Sequence, residues 1–410
     1  RVGMVPNSNY DPALSTFTER LFRVYVSEDG GETFKADNKI EWNCIGTGDY
    51  DFAQIASMNA PEVNVDLSDY AGKNIALGFY VAATGYNDQG VFVHIDSVAL
   101  AVYDNSCLPV SRIKANVEGN NVDVTWKVNT PNVGVIVEVS DDQYFTNIIS
   151  HDSLVGDSIH YSGLSFFTNY YVRVKMACSN DWMTSQFRTT YGVPFTEDYE
   201  SCSYNLIPST WKSYSGDLFA GNVLEDEYAW SVANYGAGAC DSRYAYSTVS
   251  ANIDWWGNLS LGSYAMVSPE VYLQSVEGND LKLYYDMALT TSEYNATTPE
   301  IQRCQGHTFM VAIKANDDTV WTPLQTWQDS ALLEIPSEMA QQEVDLAQYV
   351  DKVVRFAFYG FCDSTASSNA LCHVIDNVRL RHINPNCETP VVYYGGSNQT
   401  TVSVNWDVET

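Results

Sequence analysis

"CLPVSRIKANVEGNNVDVTW" (107–126) and "CETPVVYYGGSNQTTVSVNW" (387–406) begin 280 residues apart, and each runs from a Cys to a Trp with alternating Val just before the Trp. A chain that restarts one of its own segments is built from repeated units, and the spacing sets the repeat length. Upstream, "VDLSDYAGKNIALGFY" (65–80) matches "VDLAQYVDKVVRFAFY" (344–359) at an offset of 279. Next, "IDSVAL" (95–100) matches "IDNVRL" (375–380) at 280, so one residue is gained within the loop-like "VAATGYNDQG" (81–90). Earlier still, "LFRVYVSEDGGETF" (21–34) resembles "TFMVAIKANDDTVW" (308–321). The repeat is one large module followed by one small one. Residue 1 falls opposite roughly residue 288 of the second copy, which predicts a chain cut out of a longer tandem array.

Period-two runs such as "VDVTW", "YYVRVKM", "LKLYYDM" and "VVRFAFY" are separated by Gly, Asn, Asp and Pro clusters, which reads as all-β sandwiches. Only "SEMAQQEVDLAQYV" (337–350) suits a helical turn or two. At 410 residues the chain exceeds one core. The 51 acidic and 21 basic residues give a net charge of −30, a field that repels nucleic acid and anionic membrane surfaces and attracts cations. No apolar run approaches a membrane span, which argues against direct membrane insertion.

In the small module, Val122, Val124 and Trp126 share one strand face, and "LSFFTNYYVRVKMAC" (164–178) places Leu164, Tyr170, Val172 and Val174 inward. A Tyr at that point, after a Leu-led turn, suits a tyrosine corner. The module resembles a fibronectin type III domain. In the variant common in bacterial surface proteins, cysteines placed like Cys107 and Cys178 are joined, so the resemblance implies that disulfide; two unrelated buried thiols are the alternative.

The large module strings together "VPFTEDYESCSYNLIPSTW", "SYAMVSPEVYL", "LKLYYDMAL", "TFMVAIKANDDTVWTPL" and "HVIDNVRL". That order resembles the cleaved-adhesin or choice-of-anchor J domain, a jelly-roll relative of the MAM domain found in secreted proteins of Bacteroidetes-type bacteria. The resemblance implies four segments. Residues 1–104 are the back part of a jelly-roll domain, 105–190 a fibronectin type III-like domain, 191–385 a complete jelly roll, and 386–410 the start of a second fibronectin-like domain. It also implies type IX secretion and an extracellular or cell-surface location.

In "CHVIDNVRL", alternation puts Cys372, Val374, Asp376, Val378 and Leu380 on one face; the first copy reads Phe92, His94, Asp96, Val98 and Leu100. A carboxylate in an apolar row must be hydrogen-bonded, paired or set on a cation, and scarce Lys and Arg favour the cation. The jelly-roll resemblance implies a structural calcium site joining an opening strand to this closing one. Here that predicts Asp376 with Glu200, Asp198 and Asp217, and Asp96 in the first copy. The alternative is an Asp at the strand's solvent end, or one satisfied by backbone amides. His94 and His373 align at 279 but not at 280, which predicts a packed or surface role for each.

Cys362 and Cys372 correspond at offset 280 to Ala82 and Phe92, and their joint absence from the first copy predicts that they bond each other. Cys202 and Cys240 form the other expected pair; Cys44, Cys304 and Cys387 are left over. Adjacent Trp255 and Trp256 point to opposite faces of a strand, so one of them is a candidate for stacking on a sugar or anchoring a protein. Nucleophile-elbow, HExxH, CxxC and Walker A patterns are absent from the sequence. The expectation is a non-catalytic, adhesive segment of a large secreted repeat protein. Its partners would be other modules of the same chain and a host or matrix protein or glycan. The alternative is a carbohydrate-binding accessory region of a secreted hydrolase or protease.

Overall fold

The structure, a computed structural model, describes residues 1–6, 20–43, 50–51, 55, 63–83, 91–102, 106–203, 205–233, 243–253, 259–291, 304–366, 370–384, 391–397 and 402–407. These are strands joined by turns, as the period-two patterning predicts. The one helix-like stretch of 337–350 resolves into the strand Ala340–Asp345 and a single 3-10 turn, Ala347–Tyr349. The chain divides into two compact units, residues 1–192 with 209–212 and residues 193–208 with 213–410.

Within the first unit, residues 111–188 form a sandwich. One sheet runs Ile148–Leu154, Val135–Ser140, Asn169–Met176, Met183–Arg188; the other runs Ser158–Tyr161, Asn121–Lys127, Ser111–Glu118. Alternation fills the space between them with Val122, Val124, Trp126, Val137, Tyr170, Val172 and Val174. The Ser165 N–H donates to the Tyr170 hydroxyl at 2.9 Å, which closes the corner that "LSFFTNYY" predicts. Cys107 and Cys178 are bonded, with their Cα atoms 5.9 Å apart.

The rest of this unit pairs Val2–Pro6 with Val91–Ile95, and places Arg20–Ser27 between Lys39–Asn43 and Ala76–Ala83. Val2, Met4, Phe22, Val24, Trp42 and Ile55 make its core. Some of the acidity is consumed locally. Asp29 holds the N–H and hydroxyl of Thr33, and Asp142 holds those of Thr146, each two residues beyond a Ser on a hairpin loop. Hydrogen bonds from Ser27 and Thr33 keep the Asp29 carboxyl well below the usual carboxylate range.

The second unit is a larger sandwich. In one sheet Val353–Cys362 lies between His307–Ala315 on one edge and Ser263–Val267 with Val271–Tyr272 on the other. In the facing sheet Leu371–Ile383 lies between Asp280–Thr291 on one edge and Tyr244–Val249 with Phe195–Glu197 on the other. Tyr285 meets Phe358 edge-on at 5.2 Å across the core, and Phe309 stacks on His373 at 4.6 Å.

The two copies repeat their hydrogen-bond register as well as their sequence. Arg23 pairs with Tyr80, and their counterparts Met310 and Tyr359 pair likewise. Phe22 lies opposite Trp42 with rings 5.5 Å apart; Phe309 lies opposite Trp327 at 5.9 Å. The 3-10 turn after Leu67 (φ −111°, ψ 18°) has its double after Leu346 (φ −116°, ψ 16°). Ser111 pairs with Lys127, then a register shift brings Lys114 opposite Thr125. At the 280-residue offset, Val391 pairs with Asp407, and after a shift Tyr394 lies opposite Asn405.

Two expected disulfides are corrected. Cys362 and Cys372 are both free thiols. Cys362 packs with Val249, Tyr264 and Ala366, whereas Cys372 packs with Tyr244, Ala288 and Val374 on the outer face of the other sheet. Joint absence from the first copy therefore does not report a bond. Cys202 is also a free thiol, so it is not joined to Cys240, which itself lies outside the described residues. Burial pushes the Cys202 thiol up to about 12. Cys44 and Cys387 lie outside the described residues too.

Candidate functional site

The strand Leu371–Ile383 does not keep one face throughout. Asn377 adopts φ +50°, and the register against Asp280–Thr291 shifts between Tyr284 and Asp286. Such a bulge places two residues opposite one and re-aims the side chains beyond it. Leu371, His373 and Ile375 point into the sandwich before the bulge, and Val378 and Leu380 after it. Asp376 is thus on the outer face with Cys372 and Val374, which corrects the single five-residue row read from alternation. Ser97, 280 residues earlier, has the same positive φ (+54°) in the first copy.

The bulge falls where the strand changes neighbours. Tyr244–Val249 reaches Ile375, and Phe195–Glu197 begins at Val378, so Asp376 and Asn377 lie between the two ladders. Asp376 is only 1% exposed, and Asp286 lies opposite it in register. The Asn377 side-chain amide bridges them, donating to Asp286 at 2.9 Å and to Asp376 at 3.2 Å, while the Asn377 backbone N–H donates to Asp376 at 2.7 Å. Arg379 stands 3.6 Å from Asp286. Buried Tyr199 is held well above its ordinary value, first by burial and then by the Glu197 and Asp376 carboxylates. The amide-satisfied alternative thus describes part of what holds Asp376.

The other expected ligands have local duties. Glu200 accepts the Arg243 N–H at 2.9 Å, Asp198 accepts the Glu200 N–H at 3.1 Å, and Asp217 caps its own turn through Phe219 and Ala220 at 2.9 and 3.0 Å. Among the described residues, no three His, Cys, Asp or Glu side chains are grouped as a metal ion would need. Asp286 and Asn377, which do face Asp376, were not signalled by spacing, because a bulge must be known before cross-strand partners can be assigned.

Asp96 is exposed, and with it Phe92 (54%), Val98 (59%) and Leu100 (77%). His94 is exposed and His373 buried, in keeping with opposite strand faces. Trp255 and Trp256 lie outside the described residues, between the paired strands Ala251–Ile253 and Leu259–Leu261.

No protein-family model matches the sequence, and no curated protein is similar to it in sequence. Among solved structures, a cleaved-adhesin domain of Lys-gingipain from Porphyromonas gingivalis is similar at 18% identity and a TM-score of 0.29, over 46% of this chain and 98% of that one. A carbohydrate-binding module of the β-sandwich superfamily is similar at 10% identity and a TM-score of 0.29, over 68% and 99%. A calcium-binding mutant of Bacteroides uniformis beta-glucuronidase 2 is similar at 9% identity and a TM-score of 0.18, over 68% and 28%.

Proposed function

We propose that this chain is a non-catalytic segment of a secreted or cell-surface protein, built from tandem β-sandwich modules and serving attachment to a protein or glycan. The observation that carries this reading is the repetition of one hydrogen-bond register in both modules. Duplicated sandwiches multiply binding surface without requiring a reacting centre. Under this reading the four segments with boundaries at 104/105, 190/191 and 385/386 are jelly-roll adhesin-like and fibronectin type III-like modules in alternation. The three-plus-four strand order and the Tyr170 corner support the latter. The Cys107–Cys178 disulfide supports an oxidising, extracellular location.

The test is a glycan array and a panel of immobilised matrix proteins, run beside hydrolase assays on the same chain. The reading expects retention on at least one ligand without bond cleavage. Retention confined to glycans would favour an accessory region of a hydrolase, and turnover by the chain itself would overturn the reading.

A structural calcium ion at Asp376 belongs to the same proposal. The facing carboxylates of Asp376 and Asp286 are oxygen donors of the kind calcium takes, and Arg379 and Asn377 already meet part of their charge. If calcium binds there, chelator lowers the Tm of the second unit in wild type but not in Asp376→Asn; an unchanged wild-type Tm removes the ion from the account.

A further inference from the structure

In the first unit, the sheet that places Arg20–Ser27 between Lys39–Asn43 and Ala76–Ala83 carries open aromatic rings on its outer face. Alternation along Arg20–Ser27 sends Phe22, Val24 and Val26 into the core and leaves Arg23 and Tyr25 outside. Across the sheet, Arg23 faces Tyr80 on one side and Glu41 on the other, and Tyr25 faces Gly78 and Lys39. Tyr80 is 46% exposed and meets Tyr25 edge-on at 6.0 Å. Phe34, 45% exposed, lies over Gly78, where an added Cβ would stand 2.7 Å from its ring. Gly78 and Tyr80 are alternate residues of one strand, so the positions that seat the two rings are about 7 Å apart. Beside them, the Arg23 guanidinium stands 5.8 Å from the Tyr80 ring, pairs with Glu41 and donates to the Tyr25 hydroxyl at 3.2 Å. Lys39 donates to the same Glu41 carboxylate at 2.7 Å.

The matching face of the second unit is closed, and its residues differ in kind. Met310, opposite Tyr359 and Thr326, stands where Arg23 does; Ala312 opposite Ala357 replaces Tyr25 opposite Gly78. There Leu218 clusters with Met310, Trp321, Ala357 and Tyr359. The Phe219 ring lies 5.8 Å from that of Tyr359, and Tyr359 is left 3% exposed. Apolar residues suit such a covering turn. The Arg23–Glu41–Lys39 group does not, because an apolar cover would strip its charges of water without replacing the hydrogen bonds. The first-unit face therefore has the chemistry of a surface that meets a hydroxylated partner.

We propose that this face binds a neutral glycan, whose pyranose rings lay their C–H faces on Tyr80 and Phe34 while Arg23 and Lys39 donate to their hydroxyls. The inference rests on the attachment reading above and narrows its ligand class. A pyranose with equatorial hydroxyls has an apolar face and a polar rim, which matches flat rings flanked by fixed donors. Guanidinium and ammonium groups carry more N–H donors than Glu41 and Tyr25 take up. The net charge of −30 disfavours an anionic polymer. An apolar protein surface would meet the rings but would bury the ion pair without giving it a polar partner.

The test uses the full chain in titration calorimetry, with cellohexaose as the probe and polygalacturonate as the anionic control. Cellohexaose should bind, and polygalacturonate should bind more weakly or not at all. Phe34→Ser with Tyr80→Ser should weaken cellohexaose binding about ten-fold or more. Both rings are nearly half exposed, so the Tm of that variant should change little, which separates lost contact from lost fold. Gly78→Ala keeps both rings but drives the Phe34 ring off the strand, and should weaken binding in the same direction. Binding that ignores the loss of both rings, or polygalacturonate binding equally well, overturns the proposal. If the chain binds other glycans or matrix proteins but not cellohexaose, this inference fails and the attachment reading stands. If nothing binds, both fail.

Discussion

Phe309→Ala is expected to destabilise the second unit by about 3–5 kcal/mol, the cost of emptying a fully buried aromatic site. Phe309 is 0% exposed, meets Trp327 at 5.9 Å within its own sheet and stacks on His373 at 4.6 Å across the core. It therefore ties the two sheets together at one point, and rigid strands on both sides limit how far the gap can collapse. In a unit of this size the loss should lower Tm on the order of 10 °C. Phe22→Ala, which removes the counterpart contact with Trp42, should weaken the first unit through the same local mechanism. Differential scanning calorimetry reads both, and a shift for Phe309→Ala below about 2 °C would remove this contact from the account.

Acid should destabilise the second unit between pH 6.5 and about 3, because of His373. Its side chain is buried, its Nε2 has no hydrogen-bond partner, and burial followed by the nearby His307 pushes its pKa from 6.5 down to about 3. The unfolded chain takes up this proton near pH 6.5 and the folded chain does not until about pH 3. The unfolded state binds more protons throughout that window, so this contribution is full above pH 6.5 and is lost as pH falls toward 3. One proton bound only by the unfolded chain costs the fold about 1.4 kcal/mol for every pH step of one, so the whole effect is on the order of 4–5 kcal/mol. His373→Leu is apolar, of similar volume and cannot titrate. Denaturant unfolding between neutral pH and mild acid should give a visibly flatter stability profile for that variant than for wild type. Parallel profiles would show that His373 is not the group responsible.

Much of this architecture was legible in the sequence because repetition needs no structural assumption. The offsets between 65 and 344, and between 107 and 387, locate the same turn and the same bulged hairpin that the structure shows. Tyr170 was legible because a Tyr two residues from a strand's Val–Val core, after a Leu-led turn, has one good use. The Asp376 site was only half legible. Alternation assumes an unbroken strand, and a single Asn at φ +50° moves every later side chain to the other face. Asn tolerates that conformation better than most residues, so "IDN" carries a faint signal of the bulge. Ser97 at the same place in the first copy carries none. The Cys362–Cys372 expectation failed because a spacing of ten residues says nothing about which sheet, or which side of it, each thiol faces.

The claim on which the rest depends is that one β unit is laid down twice in the same register. Cross-strand backbone NOEs, measured on the selectively labelled full chain, test it most directly. The account predicts contacts for Arg23 with Tyr80 and for Met310 with Tyr359, and likewise for Lys114 with Thr125 and for Tyr394 with Asn405. Contacts displaced by one residue in one copy relative to the other would contradict it.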